Sequence, residues 1–166
     1  FEQRCKIPVS FTDPVTGETR QEPKEVTSDA FVKATAQVGN ARRIFPILIE
    51  VERDTEQQIA FREKIAKRVA FGTYARLYQA RSFNVAVIVQ APRRNALDRL
   101  MEVLVWTERE LTQRRLEHEA ISFSFCALDP EITAPADFWL GPYWLHPFSA
   151  TPHALIDLSE HPEGGL

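Results

Sequence analysis

Glu50 and Glu52 close an apolar run that begins at Ile44, and a polar turn, Arg53-Asp-Thr-Glu56, follows them. Side chains on an extended strand alternate, so residues i and i+2 share a face. The run therefore predicts two carboxylates side by side at a strand end. Like charges that close repel, and a partly buried carboxylate has to be paired, protonated or bound to a cation. One divalent ion would satisfy both. The plainer reading has the strand end reaching solvent, with Glu50 and Glu52 on its wet face. The spacing by itself leaves both readings open.

The surrounding pattern predicts the elements that would position these acids. Asp13-Pro-Val-Thr-Gly-Glu18 reads as a hairpin turn between strands Lys6 to Phe11 and Thr19 to Gln21. A strand from Lys24 to Lys33 would carry Asp29 inside it, and Gly39-Asn40 signals a second hairpin. The apolar continuity of Ile44 to Glu52 suggests a central strand buried on both faces. A helix from Glu56 to Ala80, capped by Thr55 or Asp54, would bury Ile59, Ile65, Ala66, Val69, Ala70, Tyr74 and Leu77. Val85 to Gln90 reads as a strand. A second helix runs from about Asn95 to Glu117, with Leu97, Leu100, Met101, Leu104 and Leu111 at helical spacing. Ala120 to Leu128 alternates as a final strand.

From Asp129 onward prolines and aromatics dominate, and Trp139, Tyr143, Trp144 and Phe148 read as a hydrophobic lid over the sheet. A stacking surface for bases or a docking patch for a protein partner is the alternative use of those rings. The order strands, helix, strand, helix, strand implies an α/β (α+β) fold, a mixed sheet flanked by two long helices that act as crossovers. We read residues 1–158 as one domain and 159–166 as a frayed tail.

The chain has 166 residues, 44% hydrophobic and 26% charged, which suits one globular core. Its net charge of −3 argues against coating nucleic acid by bulk charge, though not against a local basic groove. Phe1 stands first and Met101 is the one methionine, so we read the chain as a piece of a longer protein. No apolar run approaches the roughly 20 residues of a membrane span. Cys5 and Cys126 belong to no Cys/His cluster, which argues against a zinc site, and a cytoplasmic location fits best.

Asp29 on one strand, Glu50-Val51-Glu52 at the end of the next, then a helix: this order resembles the restriction-endonuclease-like, PD-(D/E)XK nuclease core. Ser28-Asp29 stands where Pro-Asp would be. Glu50-Val51-Glu52 stands where (Asp/Glu)-x-Lys would be, so the lysine is missing from its usual place. A more specific resemblance covers Ser28 to about Gln90. Ile47-Leu-Ile-Glu-Val-Glu-Arg-Asp-Thr-Glu56, with Lys64 further on, is similar to the replication-relaxation family's apolar strand, Glu-x-Asp-Arg-Gly-Thr-Glu and helical lysine. Glu52 replaces that pattern's Asp, Asp54 its Gly, and Tyr74 stands near its later aromatic.

The resemblance implies a DNA-processing domain of a plasmid or other mobile element, with Mg²⁺ or Mn²⁺ as cofactor and DNA as partner. It implies Asp29, Glu50 and Glu52 as metal ligands, Glu52 also as a general base, and Lys64 as the group that steadies phosphoryl charge. Such an ion would lower the pKa of a bound water and neutralise the scissile phosphate. The missing lysine keeps a second expectation open: an inactive nuclease-fold module that binds DNA or a protein in a replication, relaxosome or other assembly.

Lys67, Arg68, Arg76, Arg93 and Arg94 are the candidate phosphate contacts. The same charges would equally make a solvated helix face. His118, His146, His153 and His161 have no metal spacing and receive no role. Neither a Gly-rich phosphate loop nor a GxSxG elbow is present.

Overall fold

The structure is a computed structural model that describes residues 5–12, 16–26, 28–72, 84–128 and 135–159. Strands β1 (Cys5–Thr12) and β2 (Thr19–Val26) pair as an antiparallel hairpin that forms a sheet of its own. Gly17 lies near its turn at φ +71°, a left-handed conformation that glycine adopts without a Cβ penalty.

The main sheet has four strands in the order β3 (Ala30–Val38), β4 (Ala41–Glu52), β5 (Asn84–Val89), β6 (Phe123–Ala127). β3 and β4 are antiparallel around Gly39-Asn40, and Gly39 takes φ +57°. β4, β5 and β6 are parallel, so each step needs a crossover. Helices α1 (Gln58–Gly72) and α2 (Ala96–Arg114) supply them. The mixed sheet flanked by helices agrees with the architecture expected from the sequence. β4 tolerates Pro46 because its pairing with β5 starts only at Ile47.

The sheet is apolar on both faces. Leu48, Val85, Val87, Val89, Phe123 and Phe125 pack under Phe61 and Ile65 of α1 and Leu100, Val103, Leu104 and Leu111 of α2. The opposite face carries Ile47, Ala86 and Cys126, covered by Trp144 and Leu155 of the C-terminal segment. That segment opens with α3 (Pro135–Leu140), and Leu145 bridges to Phe125 at the β6 edge. Of the four aromatics expected as a lid, Trp139 and Trp144 cover the sheet, whereas Tyr143 and Phe148 are half exposed. Residues 160–166, and with them nearly all of the expected frayed tail, lie outside the described residues.

Some boundaries and faces differ from expectation. The strand expected over Lys24 to Lys33 is two strands, and Asp29 falls in the bend just before β3. α1 opens at Gln58, so neither Asp54 nor Thr55 caps it. Tyr74, Leu77 and Ala80 lie outside the described residues. Ile59, Leu97 and Met101 are exposed rather than in the buried stripes. The strand expected from Ala120 begins at Phe123, after a 3-10 turn over Glu117–Ser122 that leaves Ile121 exposed.

α2 has well-formed ends. Asn95 Oδ1 accepts the Leu97 N–H at 2.8 Å as an N-cap. Arg115 adopts φ +57°, and Leu116 N–H returns to the Leu111 carbonyl at 2.9 Å, closing the helix in a Schellman turn. Across the helix pair, buried Glu110 of α2 accepts from Arg62 of α1 at 2.7 Å and from Arg114 at 2.6 Å. Among the described residues no helix is long and apolar enough to cross a membrane.

Candidate functional site

Glu50 and Glu52 share the helix-facing side of β4, as strand alternation requires, and both are buried. Each is met by an arginine from a different helix. Arg68 of α1, 3% exposed, donates to Glu50 Oε1. Arg99 of α2, also 3% exposed, donates from Nη2 to Glu52 Oε1 at 2.7 Å and to the Glu56 carbonyl at 2.8 Å. Its Nη1 reaches Glu102 at 2.9 Å, and the guanidinium lies 4.7 Å over the Trp106 ring. Glu52 Oε1 also accepts the Asp54 N–H at 2.8 Å. The strand end is thus closed by a layer of paired charge between sheet and helices.

Asp29 and Lys64 complete the neighbourhood. Asp29 Oδ2 accepts the Val51 N–H at 2.7 Å, which fixes the start of β3 beside the end of β4. Lys64 Nζ lies 3.7 Å from Glu50 Oε2 and pairs more closely with Glu56. All four residues expected at a catalytic centre, Asp29, Glu50, Glu52 and Lys64, therefore fall at one strand end. Gln57 is exposed ahead of the helix.

Burial is the largest influence on the central pair. It pushes the Glu50 carboxyl above its ordinary range, with Arg68 and Lys64 acting against that push. It likewise lowers the Arg68 guanidinium, against the pull of Glu50. Burial also opposes the charges of Lys64 and Arg99, but Glu56 and Glu50 outweigh it for Lys64, and Glu52 and Glu102 for Arg99, so both cations are raised. Such a layer adds little net stability while leaving a large penalty for removing one partner.

The arrangement leaves little room for a hydrated magnesium ion. Mg²⁺ keeps several waters in its octahedron. The space beside Glu50, Glu52, Lys64 and Arg68, walled also by Phe61, Ile65, Val85 and Val87, is about 10 Å³, at the lower limit for a single water. Two arginines and a lysine already supply the cationic partners of those carboxylates. Among the described residues no three His, Cys, Asp or Glu side chains are grouped to hold a metal ion.

Asp54 holds φ +61° in the turn after β4. That left-handed conformation is one Asp tolerates and Gly prefers, and this is the position where the resemblance has Gly. Asp54 also meets Arg94 at 2.9 Å.

The expected phosphate contacts are only partly presented. Arg68 is corrected: it is buried on Glu50 and is not available to a nucleic acid. Arg94 is engaged by Asp54 and Glu102, and Lys67 pairs with Glu63 at 3.3 Å. Arg93 is exposed, and Arg76 lies outside the described residues. The sequence reading missed Arg99 and Glu102. Arg99 lies in a row with Val103, Thr107 and Glu110 that the structure buries beside Leu100, Leu104 and Leu111, and Glu102 lies outside that row.

Two histidines given no role from the sequence clamp the C-terminal segment to β6. The rings of His146 and His153 stack at 3.7 Å. His146 Nδ1 lies 2.7 Å from the Phe123 carbonyl, which only accepts, so Nδ1 carries the proton. His153 Nε2 lies 3.1 Å from the Ser124 hydroxyl. Burial, then the neighbouring His146, lowers the His153 pKa from 6.5 to about 4. The unfolded chain therefore binds a proton that the folded chain refuses between those values. Stability from this group is full above its unfolded pKa and is lost as pH falls through the folded one. Urea unfolding at about pH 7 and about pH 4.5 is expected to show a loss of roughly 2 kcal/mol attributable to His153, discounted for partial exposure. His153→Gln should flatten that slope, and an unchanged slope would remove the assignment.

Fold and site define an α/β domain whose four-stranded mixed sheet ends in arginine-paired glutamates. No protein-family profile, curated protein or solved structure matches this chain.

Proposed function

We propose that this domain is a non-hydrolytic interaction module, a restriction-endonuclease-like scaffold that serves a replication, relaxosome or other assembly by binding a protein partner. One observation carries the reading: Glu50 and Glu52 are each held by a buried arginine, Arg68 and Arg99. A carboxylate so engaged is a poor ligand for a cation and a poor base, because either role requires separating a desolvated pair.

The C-terminal segment supports the choice of a protein partner. Phe148 is half exposed and holds φ +63°, a conformation unusual for an aromatic residue. Its N–H is anchored on Glu108 Oε1 at 2.8 Å. Strained backbone clusters at ligand clamps and switch regions, and here it holds the ring that we assign to the partner contact. DNA is less favoured because Arg68, Arg94 and Lys67 are engaged within the domain.

The second reading is a Mg²⁺- or Mn²⁺-dependent phosphodiester hydrolase of the replication-relaxation type. It draws on the location of Asp29, Glu50, Glu52 and Lys64 at one strand end. Calorimetry with Mg²⁺ and Mn²⁺, and plasmid nicking and retardation on the same samples, separates the two. The module is expected to give no metal-dependent nicking and no salt-sensitive plasmid retardation. Nicking that disappears in folded Glu50→Gln would establish the hydrolase instead, and salt-sensitive retardation without nicking would make DNA the partner.

A further inference from the structure

The main sheet's β6 end leaves a hollow that neither the paired-charge layer nor the histidine clamp uses. It is a cavity of about 440 Å³, open to solvent, between the start of α2, the end of β6 and the C-terminal segment. Small side chains create it, since Ala96 and Ala127 stand where larger ones would fill the gap. Leu100, Leu128 and Leu145 make apolar walls. Among the described residues no ionised side chain lines it; the polar side-chain groups are the Asn95 amide, which already caps α2, the Cys126 thiol, which donates to the Ala127 carbonyl, and the Tyr143 hydroxyl.

The tyrosine wall is built rather than incidental. A Cβ at Gly141 would clash with the Tyr143 ring and stand 2.5 Å from the Asp137 carbonyl oxygen. The ring reaches its position only because residue 141 lacks a side chain. Gly141 N–H in turn donates to that Asp137 carbonyl at 2.7 Å, so α3 and the tyrosine are fixed together.

We infer that this cavity is a binding site for a small, uncharged, ring-containing molecule with one hydrogen-bonding group. Ligand pockets span roughly 300–1,000 Å³ and combine apolar walls with a few polar groups. A cavity of about 150 Å³ accommodates benzene, so this one has room for two or three rings. An ionised ligand is disfavoured because none of the described lining residues offsets loss of its hydration. Tyr143, a half-exposed lining residue, provides the polar handle.

The probe is 2-naphthol, titrated into the full chain while Leu, Val and Ile methyl groups are followed by NMR. Saturable shifts are expected at Leu97, Leu100, Leu128 and Leu145. 2-Naphthoate has the same rings with a fixed charge and is expected to bind about tenfold more weakly or worse. Ala127→Phe fills the cavity and should abolish the shifts. Leu97→Lys, at a position 61% exposed, changes the lining without touching the core and should weaken binding similarly. The site is overturned by shifts that never saturate, by shifts that cluster at Val32 and Ile44 of the β3–β4 hairpin, by equal binding of the naphthoate, or by binding that survives Leu97→Lys.

Discussion

Replacing Glu50 by Leu is expected to destabilise the domain by about 3–5 kcal/mol, while replacing Glu50 and Arg68 together by Leu and Met costs less than either change alone. The single change leaves the Arg68 guanidinium 3% exposed and without the carboxylate that meets it. Arg68→Met leaves Glu50 buried, with Lys64 at 3.7 Å as its remaining nearby cation. The double change strands neither charge and fills the layer with apolar groups. Urea unfolding of the four proteins in the cycle reads the coupling directly. Additive losses would mean that the pair is not the buried unit described here, and would reopen Glu50 to other roles.

Trp144→Ala is expected to cost about 3–5 kcal/mol, the range for emptying a large aromatic site. Trp144 is fully buried, packs with Ile47, Ala86, Cys126 and Leu155, and meets Phe138 edge-on at 5.1 Å. Its indole N–H donates to the Phe138 carbonyl at 2.8 Å. It therefore ties α3, the segment after it and the sheet into one layer. Trp144→Phe keeps much of the volume but orphans that carbonyl, so about 1–3 kcal/mol is expected. Thermal unfolding gives the totals, and hydrogen exchange should locate the loss at β6. A loss below about 1 kcal/mol for Trp144→Ala would mean that the segment is not a structural layer.

Much of the sheet was legible in the sequence because its signals are local. Gly39-Asn40 is a turn by its own chemistry, and the apolar run from Ile44 to Ile49 is too continuous for a half-wet strand. The shared face of Glu50 and Glu52 follows from period 2 alone. What covers those acids could not be read that way. A charged residue on a helix gives no local sign that it faces inward, and Arg68 looked like its solvated neighbours. Its burial follows from the packing of α1 over β4, which is set by Phe61 and Ile65. Asp29 was assigned to the correct neighbourhood, but its bond to the Val51 N–H depends on the β3–β4 register. Ile59, Leu97 and Met101 matched helical spacing yet lie near helix edges, where periodicity does not say how far the sheet extends beneath.

The cover over the sheet's second face comes from residues 135–159, after every strand of the main sheet has passed. A chain leaving the ribosome completes β6 at Ala127 before Trp144 and Leu155 emerge. Until then Ile47, Ala86 and Cys126 lack the lid that Trp144 and Leu155 supply among the described residues, and a nascent chain stalled in that interval carries a wetter hydrophobic face. Synthesis of the last described segment is therefore the step that turns a sheet with one protected side into a closed core. Chaperone demand would be greatest just before it.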